Sequence, residues 1–178
     1  MRYKRAFYPG RFQPFHNGHL YAIRYILTQV EEVVIGVTAA QYNYEPDNPF
    51  TAGERIEMIK LALGELYTRT YVIPIENTAS NLAWLRKVET LTPSFNVVYT
   101  NNQLVRILAE REGYQVEPIP QLDREKLSGK YIRKLIIRGE SYAKYDSCIA
   151  LSQNNFAIRS ALFWENCPSP LYEVLSLL

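Results

Sequence analysis

The two histidines of the chain, His16 and His19, stand three residues apart in the segment GRFQPFHNGHL, residues 10–20. An imidazole whose pKa lies near ~6.5 can donate a hydrogen bond to a phosphate oxygen in its neutral or its protonated form. Arg11 adds a permanent cation that can hold phosphate through two N–H groups. Positions i and i+3 place the two imidazoles on one side of a helix that we expect to begin near Gly18. The segment therefore predicts a phosphate-binding loop.

The surroundings of this segment favour the same interpretation. A short strand is predicted over 5–8 and is expected to break at Pro9-Gly10, where glycine lets the backbone turn sharply and approach a ligand. The helix that follows points its free N–H groups and the positive end of its dipole into the same space, which favours phosphate. The plainer alternative, that the histidines only cap or pack, leaves the neighbouring glycines, prolines and arginine without a role.

The elements that must position this loop are visible as an alternation of short apolar runs and segments of helical period. Such alternation predicts an α/β fold with a Rossmann-like parallel sheet of about five strands and helices on both faces. Ligands of such sheets bind beyond the carboxyl ends of the strands, where the strand order reverses. Strands are predicted over 5–8, 33–37, 70–75, 96–99 and 114–116, and helices over 18–30, 51–66, 81–91, 103–112 and 128–137.

Length and composition limit the classes of protein to consider. The 178 residues predict one α/β domain over 1–140, with 141–178 as a C-terminal segment of the same domain. A net charge of +2 does not indicate a nucleic-acid partner, and no apolar run is long enough to span a membrane. Cys148 and Cys167 lack metal-ligand spacing, so no metal site of the protein's own is predicted. We expect a cytoplasmic protein.

The first segment resembles the His-x-Gly-His signature of the nucleotidyltransferase superfamily. Its fuller form, Gly-Arg-Phe-Gln-Pro-Phe-His-x-Gly-His, is similar to that of the archaeal nicotinamide-nucleotide adenylyltransferases, and the resemblance spans about 5–139. It implies adenylyl transfer from ATP, with Mg²⁺, to nicotinamide mononucleotide, giving NAD and pyrophosphate, in a homo-oligomer. Two alternatives stay open: a nucleotidyltransferase with another phosphorylated acceptor, and a nucleotide-binding sensor without turnover.

A second segment, LSGKYIR, residues 127–133, resembles the second signature of the superfamily, which usually reads Ser-Gly/Ser-Thr-x-Ile-Arg. Ser128 is a natural helix N-cap, and the N–H groups after it are expected to meet the triphosphate. Arg133 is expected to reach the β- or γ-phosphate. Lys130 stands where the family usually has Thr, so it can hold phosphate only as a point charge.

The resemblance assigns residues to three roles. The catalytic set is His16, His19, Arg11 and Arg133. The ATP-binding set is Gly10, Arg11, His16, Gly18, His19, Ser128, Gly129, Lys130 and Arg133. The set for nicotinamide mononucleotide is Gln13, Gln41, Asn81 and Trp84.

Trp84 has two interpretations. A Trp at helical spacing is usually a core residue. The Asn-x-x-Trp pattern of Asn81 and Trp84 is also that of the archaeal family, where it implies recognition of nicotinamide. The face of an indole ring attracts a cation, and the pyridinium ring of oxidised nicotinamide mononucleotide is positively charged.

Two further stretches bear on the assignment. In NPFTAGERIEMI, residues 48–59, Thr51 and Glu54 predict a capping box at the start of a helix, although the stretch is also a hallmark of the archaeal family. In YTNNQLV, Asn101 and Gln103 replace the Gly and Pro common in the turn of that family. The contacts to the nucleotide at this turn are therefore expected to differ.

Overall fold

The computed structural model of the chain describes residues 3–120, 127–138 and 140–141. Apart from residue 141, the predicted C-terminal segment therefore lies outside the described residues, and the predicted domain division stays a prediction. The described elements are β1 (Tyr3–Gly10), α1 (Asn17–Gln29), β2 (Val30–Thr38), α2 (Ala52–Leu63), a 3₁₀ helix (Gly64–Arg69), β3 (Thr70–Ile75), α3 (Asn81–Leu91), β4 (Val97–Tyr99), α4 (Gln103–Arg111), β5 (Gln115–Glu117) and α5 (Gly129–Ile137).

The strands form one parallel sheet in the order β3-β2-β1-β4-β5, which confirms the predicted Rossmann-like α/β class. β1 and β2 are consecutive neighbours, whereas β4 lies on the other side of β1. The strand order therefore reverses at β1. The connections that leave the carboxyl ends of β1 and β4 lead to helices on opposite faces of the sheet. The space between these two ends is where the sequence places the histidine segment.

Apolar side chains cover both faces of the sheet. Successive residues of β2, such as Val33 and Val34, belong to two different hydrophobic clusters, as the pleat requires. The cluster with Val33 includes α1 and α2, through Ile23 and Ile59, and the cluster with Val34 includes α3 and α4. Both faces of the central strands are thus covered by helices, and the polar groups at the strand ends remain for function.

Two of the differences from the predicted element boundaries have a clear local cause. β1 does not break at Pro9-Gly10, because both residues pair with β2. β4 pairs with β1 only at Ala6 and Phe7, so at Pro9 the strand β1 is paired with β2 alone. A proline, which lacks an N–H, is tolerated where one side of a strand is unpaired. The second helix ends at Leu63 and not at residue 66, because Gly64 takes a φ of 53° and the chain continues as a 3₁₀ helix.

Candidate active site

The first loop turns at Phe12 and not at Gly10. Phe12 has a φ of 51°, whereas Gly10 ends β1 in extended conformation. A Cβ at Gly10 would lie 2.7 Å from Cζ of Phe12, so glycine is needed here because the buried aromatic ring lies against the backbone. The expectation that Gly10 supplies the turn was therefore wrong, but a glycine is still required at this position.

The two histidines stack at the start of α1, as the spacing predicts. Their ring centroids are 3.6 Å apart with an interplanar angle of 24°. The backbone N–H of His16 donates to Nδ1 of His19 at 3.2 Å. A neutral His19 therefore carries its proton on Nε2 and can donate it from there. Nδ1 of His16 is buried and has no hydrogen-bond partner among the described residues. A Cβ at Gly18 would lie 3.0 Å from the ring of His16, so Gly18 leaves room for that imidazole.

Burial keeps both imidazoles neutral. Burial lowers the pKa of His16 to about 4. Burial, and secondarily the charge of His16, holds the pKa of His19 well below its usual range. Both rings are therefore neutral hydrogen-bonding groups at neutral pH, and a bound phosphate would raise both pKa values by favouring the protonated forms.

A cavity of about 330 Å³ opens onto this pair, and we call it the histidine cavity. It lies between the carboxyl ends of β1 and β4, at the reversal of the strand order. Its lining includes four predicted ATP-binding residues as well as Thr100, Asn101, Asn102 and Leu127. Those four are Gly10, His16, Gly18 and His19.

A second cavity of about 370 Å³, the tryptophan cavity, lies on the other side of the end of β1. Pro9, Gly10 and Asn102 line both cavities, so the two spaces adjoin. The polar groups in its wall are one guanidinium, amides and hydroxyls. They belong to Arg11, Thr38, Asn77, Thr78, Asn81 and Asn102.

Trp84 is a core residue that also lines the tryptophan cavity. The side chain is buried, with 8 % exposure, in the cluster of Leu85 and Val88, and its ring lies 6.2 Å from that of Phe7. It also lines the tryptophan cavity, beside Asn81. Trp84 is therefore a core residue whose remaining surface faces a ligand-sized space.

The other two residues predicted for nicotinamide mononucleotide brace loops and do not line either cavity. The amide of Gln13 is buried; its Nε2 donates to O of Phe50 at 2.8 Å, and its Oε1 accepts from N of Phe50 at 3.0 Å. Oε1 of Gln41 accepts from N of Asn77 at 3.0 Å. Gln41 thus acts on the tryptophan cavity through Asn77, which lines it.

The second signature packs against the first. Ser128 caps α5 as predicted, since its Oγ accepts from N of Tyr131 at 3.3 Å. A Cβ at Gly129 would lie 2.8 Å from O of Gln13, so the glycine allows α5 to approach the first loop. Lys130 is exposed at the second position of α5. None of these three residues lines the two cavities, although the preceding Leu127 lines the histidine cavity.

Arg133 is held by protein groups. Its Nη1 donates to O of Gln13 at 2.7 Å, and its Nη2 contacts Oδ1 of Asp47 at 3.0 Å. The side chain is almost fully buried and lines neither cavity. The guanidinium joins three segments, namely the first loop, the loop between β2 and α2, and α5.

The unusual turn after β4 is satisfied within the protein. Nδ2 of Asn101 donates to O of Ile119 at 2.7 Å, and its Oδ1 accepts from N of Ile119 at 3.1 Å. Asn102 caps α4 by accepting from N of Leu104 and of Val105. Gln103 is the first residue of α4. Of the two departures from the family turn, Asn101 therefore joins β4 to the segment that follows β5.

Sequence reasoning missed Arg55. Its side chain is fully buried, with Nη1 donating to O of Arg11 and of Thr38, both at 2.9 Å. Burial, together with the nearby Arg11, lowers its pKa to about 10. Because Arg11 and Thr38 both line the tryptophan cavity, Arg55 sets the spacing of two of its walls. The available signal was a cation at a core-facing position of α2, which begins with the predicted capping box of Thr51 and Glu54.

Two features of the described residues bear on metal ions and membranes. No group of three or more His, Cys, Asp or Glu side chains is placed to hold a metal ion in that part of the chain. No helix there has the length and apolar character needed to cross a membrane.

Comparisons with known proteins give a family and similar proteins for this chain. The model of the cytidylyltransferase-like family matches residues 7–135. A nicotinamide-nucleotide adenylyltransferase of Pyrobaculum aerophilum is 49% identical over 140 residues, covering 77% of this chain and 79% of the relative. One of Thermoplasma acidophilum is 46% identical over 140 residues, covering 78% of each chain.

Solved structures share the fold at low identity. A bifunctional NMN adenylyltransferase/ADP ribose pyrophosphatase of Francisella tularensis, complexed with AMP and a Mn ion, has a TM-score of 0.69 at 18% identity. The match covers 94% of this chain and 57% of that protein, so this chain spans little more than half its length. A nicotinate-nucleotide adenylyltransferase described for Vibrio parahaemolyticus has a TM-score of 0.56 at 16% identity, covering 85% and 99% of the chains.

Proposed function

The chain belongs to the cytidylyltransferase-like family, within its nicotinamide-nucleotide adenylyltransferases, and from that premise we propose how it carries out their reaction. It transfers the adenylyl group of ATP to nicotinamide mononucleotide, which gives NAD and pyrophosphate. The observation that carries the proposal is the pair of cavities that share Gly10 and Asn102 at the reversal of the strand order. Two substrates in these cavities would meet at the end of β1.

The histidine cavity takes the triphosphate. Its buried imidazoles offer donors without a fixed charge, and His19 presents Nε2–H because its Nδ1 already accepts from the backbone of His16. Two further groups adjoin this cavity: the N–H groups at the start of α5, which follow Leu127 in its wall, and Arg11, which lines the neighbouring tryptophan cavity. We assign both to the remaining phosphate oxygens. This assignment follows the residue types and the family signature.

The tryptophan cavity takes the acceptor. Asn81 and Trp84 line it, and we assign the amide group to the carboxamide and the indole ring to the ring of nicotinamide. The 5′-phosphate would then point towards Gly10 and Arg11, where the two cavities adjoin. Gln13 and Gln41 contribute by bracing the first loop and Asn77.

The chemical step needs alignment and charge stabilisation more than a protein nucleophile. A phosphate oxygen of nicotinamide mononucleotide attacks the α-phosphorus of ATP, the bond from that phosphorus to the bridging oxygen breaks, and pyrophosphate leaves with the electron pair. Negative charge grows on the oxygens of the leaving group. His16, His19, Arg11 and Arg133 are the groups we assign to that charge.

ATP enters as its complex with a divalent cation, and we assign Mg²⁺ to that role. Such a cation is held mainly by phosphate oxygens and water. In keeping with the resemblance to the archaeal enzymes and with the net charge of +2, we further propose a homo-oligomer that acts in the cytoplasm without a nucleic-acid partner.

One assay tests the function. The protein is incubated with ATP and Mg²⁺ and with one acceptor at a time: nicotinamide mononucleotide, nicotinate mononucleotide, a pantetheine phosphate, or none. We expect pyrophosphate release with the first acceptor and NAD in equal amount. Release with the pantetheine phosphate alone would favour another nucleotidyltransferase, and tight ATP binding without release under any acceptor would favour a sensor.

A further inference from the structure

The ion pair between Arg133 and Asp47 joins residues that lie 86 positions apart in the sequence. Arg133 ends the second signature, and Asp47 belongs to the loop between β2 and α2. The two side chains differ strongly in exposure, since that of Arg133 is 9% exposed and that of Asp47 is 80% exposed. The arginine is therefore fixed in the protein, whereas the carboxylate reaches it from solvent.

The carboxylate of Asp47 offers Arg133 the same chemistry as a phosphate. Both present anionic oxygens that a guanidinium binds at about 2.7–2.9 Å in charge-assisted hydrogen bonds. The separation of Nη2 and Oδ1 is 3.0 Å. A second bond, from Nη1 to O of Gln13, keeps the guanidinium at the edge of the first loop whether or not the carboxylate is present.

We propose that Asp47 is a positioning residue that holds Arg133 in the ligand-free protein and yields it to the outer phosphates of ATP, so that the carboxylate sets the affinity for triphosphate and pyrophosphate. The inference rests on the proposed function. It adds a residue that neither the sequence motifs nor the family signature includes.

The exposure of Asp47 lowers the free energy that the exchange requires. Water hydrates and screens the exposed carboxylate, so a multiply charged phosphate can displace it from Arg133. Displacement returns Asp47 to water, where it needs no new protein partner. When pyrophosphate leaves, the carboxylate can pair with Arg133 again, which favours release of the product.

The test compares Asp47→Asn with Glu45→Gln. Glu45 lies two residues away in the same loop, is exposed, and contacts Asn48 and not Arg133. Both substitutions remove one negative charge from the loop, so their difference isolates the contact with Arg133. Calorimetric titration at low ionic strength with ATP, pyrophosphate and AMP, in the presence of Mg²⁺, gives the dissociation constants.

We expect Asp47→Asn to bind ATP and pyrophosphate about two- to fivefold more tightly than Glu45→Gln does. Its affinity for AMP, which lacks the outer phosphates, should match that of the control. In steady-state assays KM for ATP and the inhibition constant of pyrophosphate should fall together, while KM for nicotinamide mononucleotide stays unchanged. Asp47→Glu, which can restore the pair, should return both values towards those of the wild type.

Each contrary result has a distinct meaning. Equal affinities of the two variants, or a gain for AMP as large as that for ATP, would overturn the exchange and leave the proposed function intact. Weaker ATP binding in Asp47→Asn would show instead that the carboxylate orients Arg133 in the complex. A wild-type protein that binds neither ATP nor pyrophosphate would overturn the inference and the proposed function together.

Discussion

The histidine cavity and the tryptophan cavity share the end of β1 but are built in different ways. The imidazoles of the first come from one helical turn; they stack on each other, and that of His19 accepts a hydrogen bond from the backbone N–H of His16. The wall of the second combines the end of β2, the segment before α3, α3 itself and the start of α4. The two imidazoles are therefore set by one short segment, whereas the groups that face the acceptor depend on the whole sheet.

This difference predicts where substitutions act. A change in the histidine cavity should affect the rate for every acceptor, because all acceptors use the same triphosphate. A change in the tryptophan cavity should alter the choice between acceptors. Arg55 holds the backbone of Arg11, which lines the tryptophan cavity and is assigned to the triphosphate, so its loss should affect stability as well as both substrates.

Arg55 gives the largest expected effect. Arg55→Met leaves the carbonyl oxygens of Arg11 and Thr38 without their donor, and each unpaired buried group costs ~1–3 kcal/mol, so unfolding should become easier by about 3 kcal/mol or more. KM should rise for both substrates. Arg69 is a matched control, since it donates to three carbonyls near the amino ends of β2 and β3. Arg69→Met should lower the melting temperature without raising KM, and similar kinetics of the two variants would contradict the role given to Arg55.

The pH dependence of stability tests the neutral imidazoles. The folded pKa of His16, about 4, lies below its unfolded value of 6.5, so the unfolded chain binds more protons between these values. The stabilisation is fully present above pH 6.5, declines as the pH falls towards 4, and amounts to about 3 kcal/mol for this residue. Denaturant titrations from pH 7 to pH 4 measure it.

His16→Asn provides the control for that titration, because Asn keeps an N-cap at α1 but does not titrate. The slope of stability against pH should be smaller in this variant. An unchanged slope would mean that His16 is protonated as readily in the folded chain as in the unfolded one. ATP should reduce the wild-type slope, since phosphate favours the protonated imidazole.

His19→Ala should lower kcat by ~10² or more, the scale for removal of one preorganised donor from a developing charge. The dissociation constant of ATP should change less, because that charge appears only during transfer. Single-turnover rates and ATP titration separate the two effects. A variant with the wild-type kcat would remove His19 from the mechanism.

Trp84 tests the choice of acceptor. If its exposed surface stacks on a pyridinium, oxidised nicotinamide mononucleotide should be preferred to the reduced form by up to ~30-fold, from a cation–π contribution of ~0.5–2 kcal/mol. Trp84→Ala should abolish the preference, and Trp84→Phe should retain part of it. The measured quantity is the ratio of kcat/KM for the two forms.

Because Trp84 is also a core residue, its loss should cost ~3–5 kcal/mol of stability. Leu85→Ala is the matched control, since Leu85 is buried in the same cluster but does not line the cavity. That variant should lose stability and keep the ratio. Loss of the ratio in both variants would show that the preference reflects general packing and not contact with the ring.

Lys130 gives the smallest expected effect. A cation at the start of a helix is unfavourable with the helix dipole unless an anion lies nearby, which supports a contact with phosphate. Lys130→Ala should weaken ATP binding by about two- to fivefold, and Lys130→Thr should keep much of the activity. Lys134→Ala, one turn further along α5, should have no effect on ATP binding. If Lys130→Ala binds ATP as tightly as the wild type does, Lys130 is a solvent-exposed residue at a helix start with no role in ATP binding.

The sequence by itself determined most of the local structure. Alternating apolar runs predicted five strands and the helices between them, and the i, i+3 spacing of His16 and His19 predicted their proximity at a helix start. Ser128 as a cap and the capping box of Thr51 and Glu54 were readable for the same reason. Each of these features depends on backbone geometry within one or two turns, which residue type and spacing are enough to specify.

Only the tertiary structure decided which distant groups meet. It turned the first loop at Phe12, engaged the amide of Gln13 with Phe50, and brought Arg133 to Asp47. It also placed Trp84 in the hydrophobic core and in the wall of the tryptophan cavity. These contacts join segments separated by tens of residues, and they exist because the parallel sheet gathers the ends of its strands at one edge. No local spacing in the sequence records which of those ends become neighbours, since the strand order arises from the packing of the whole chain.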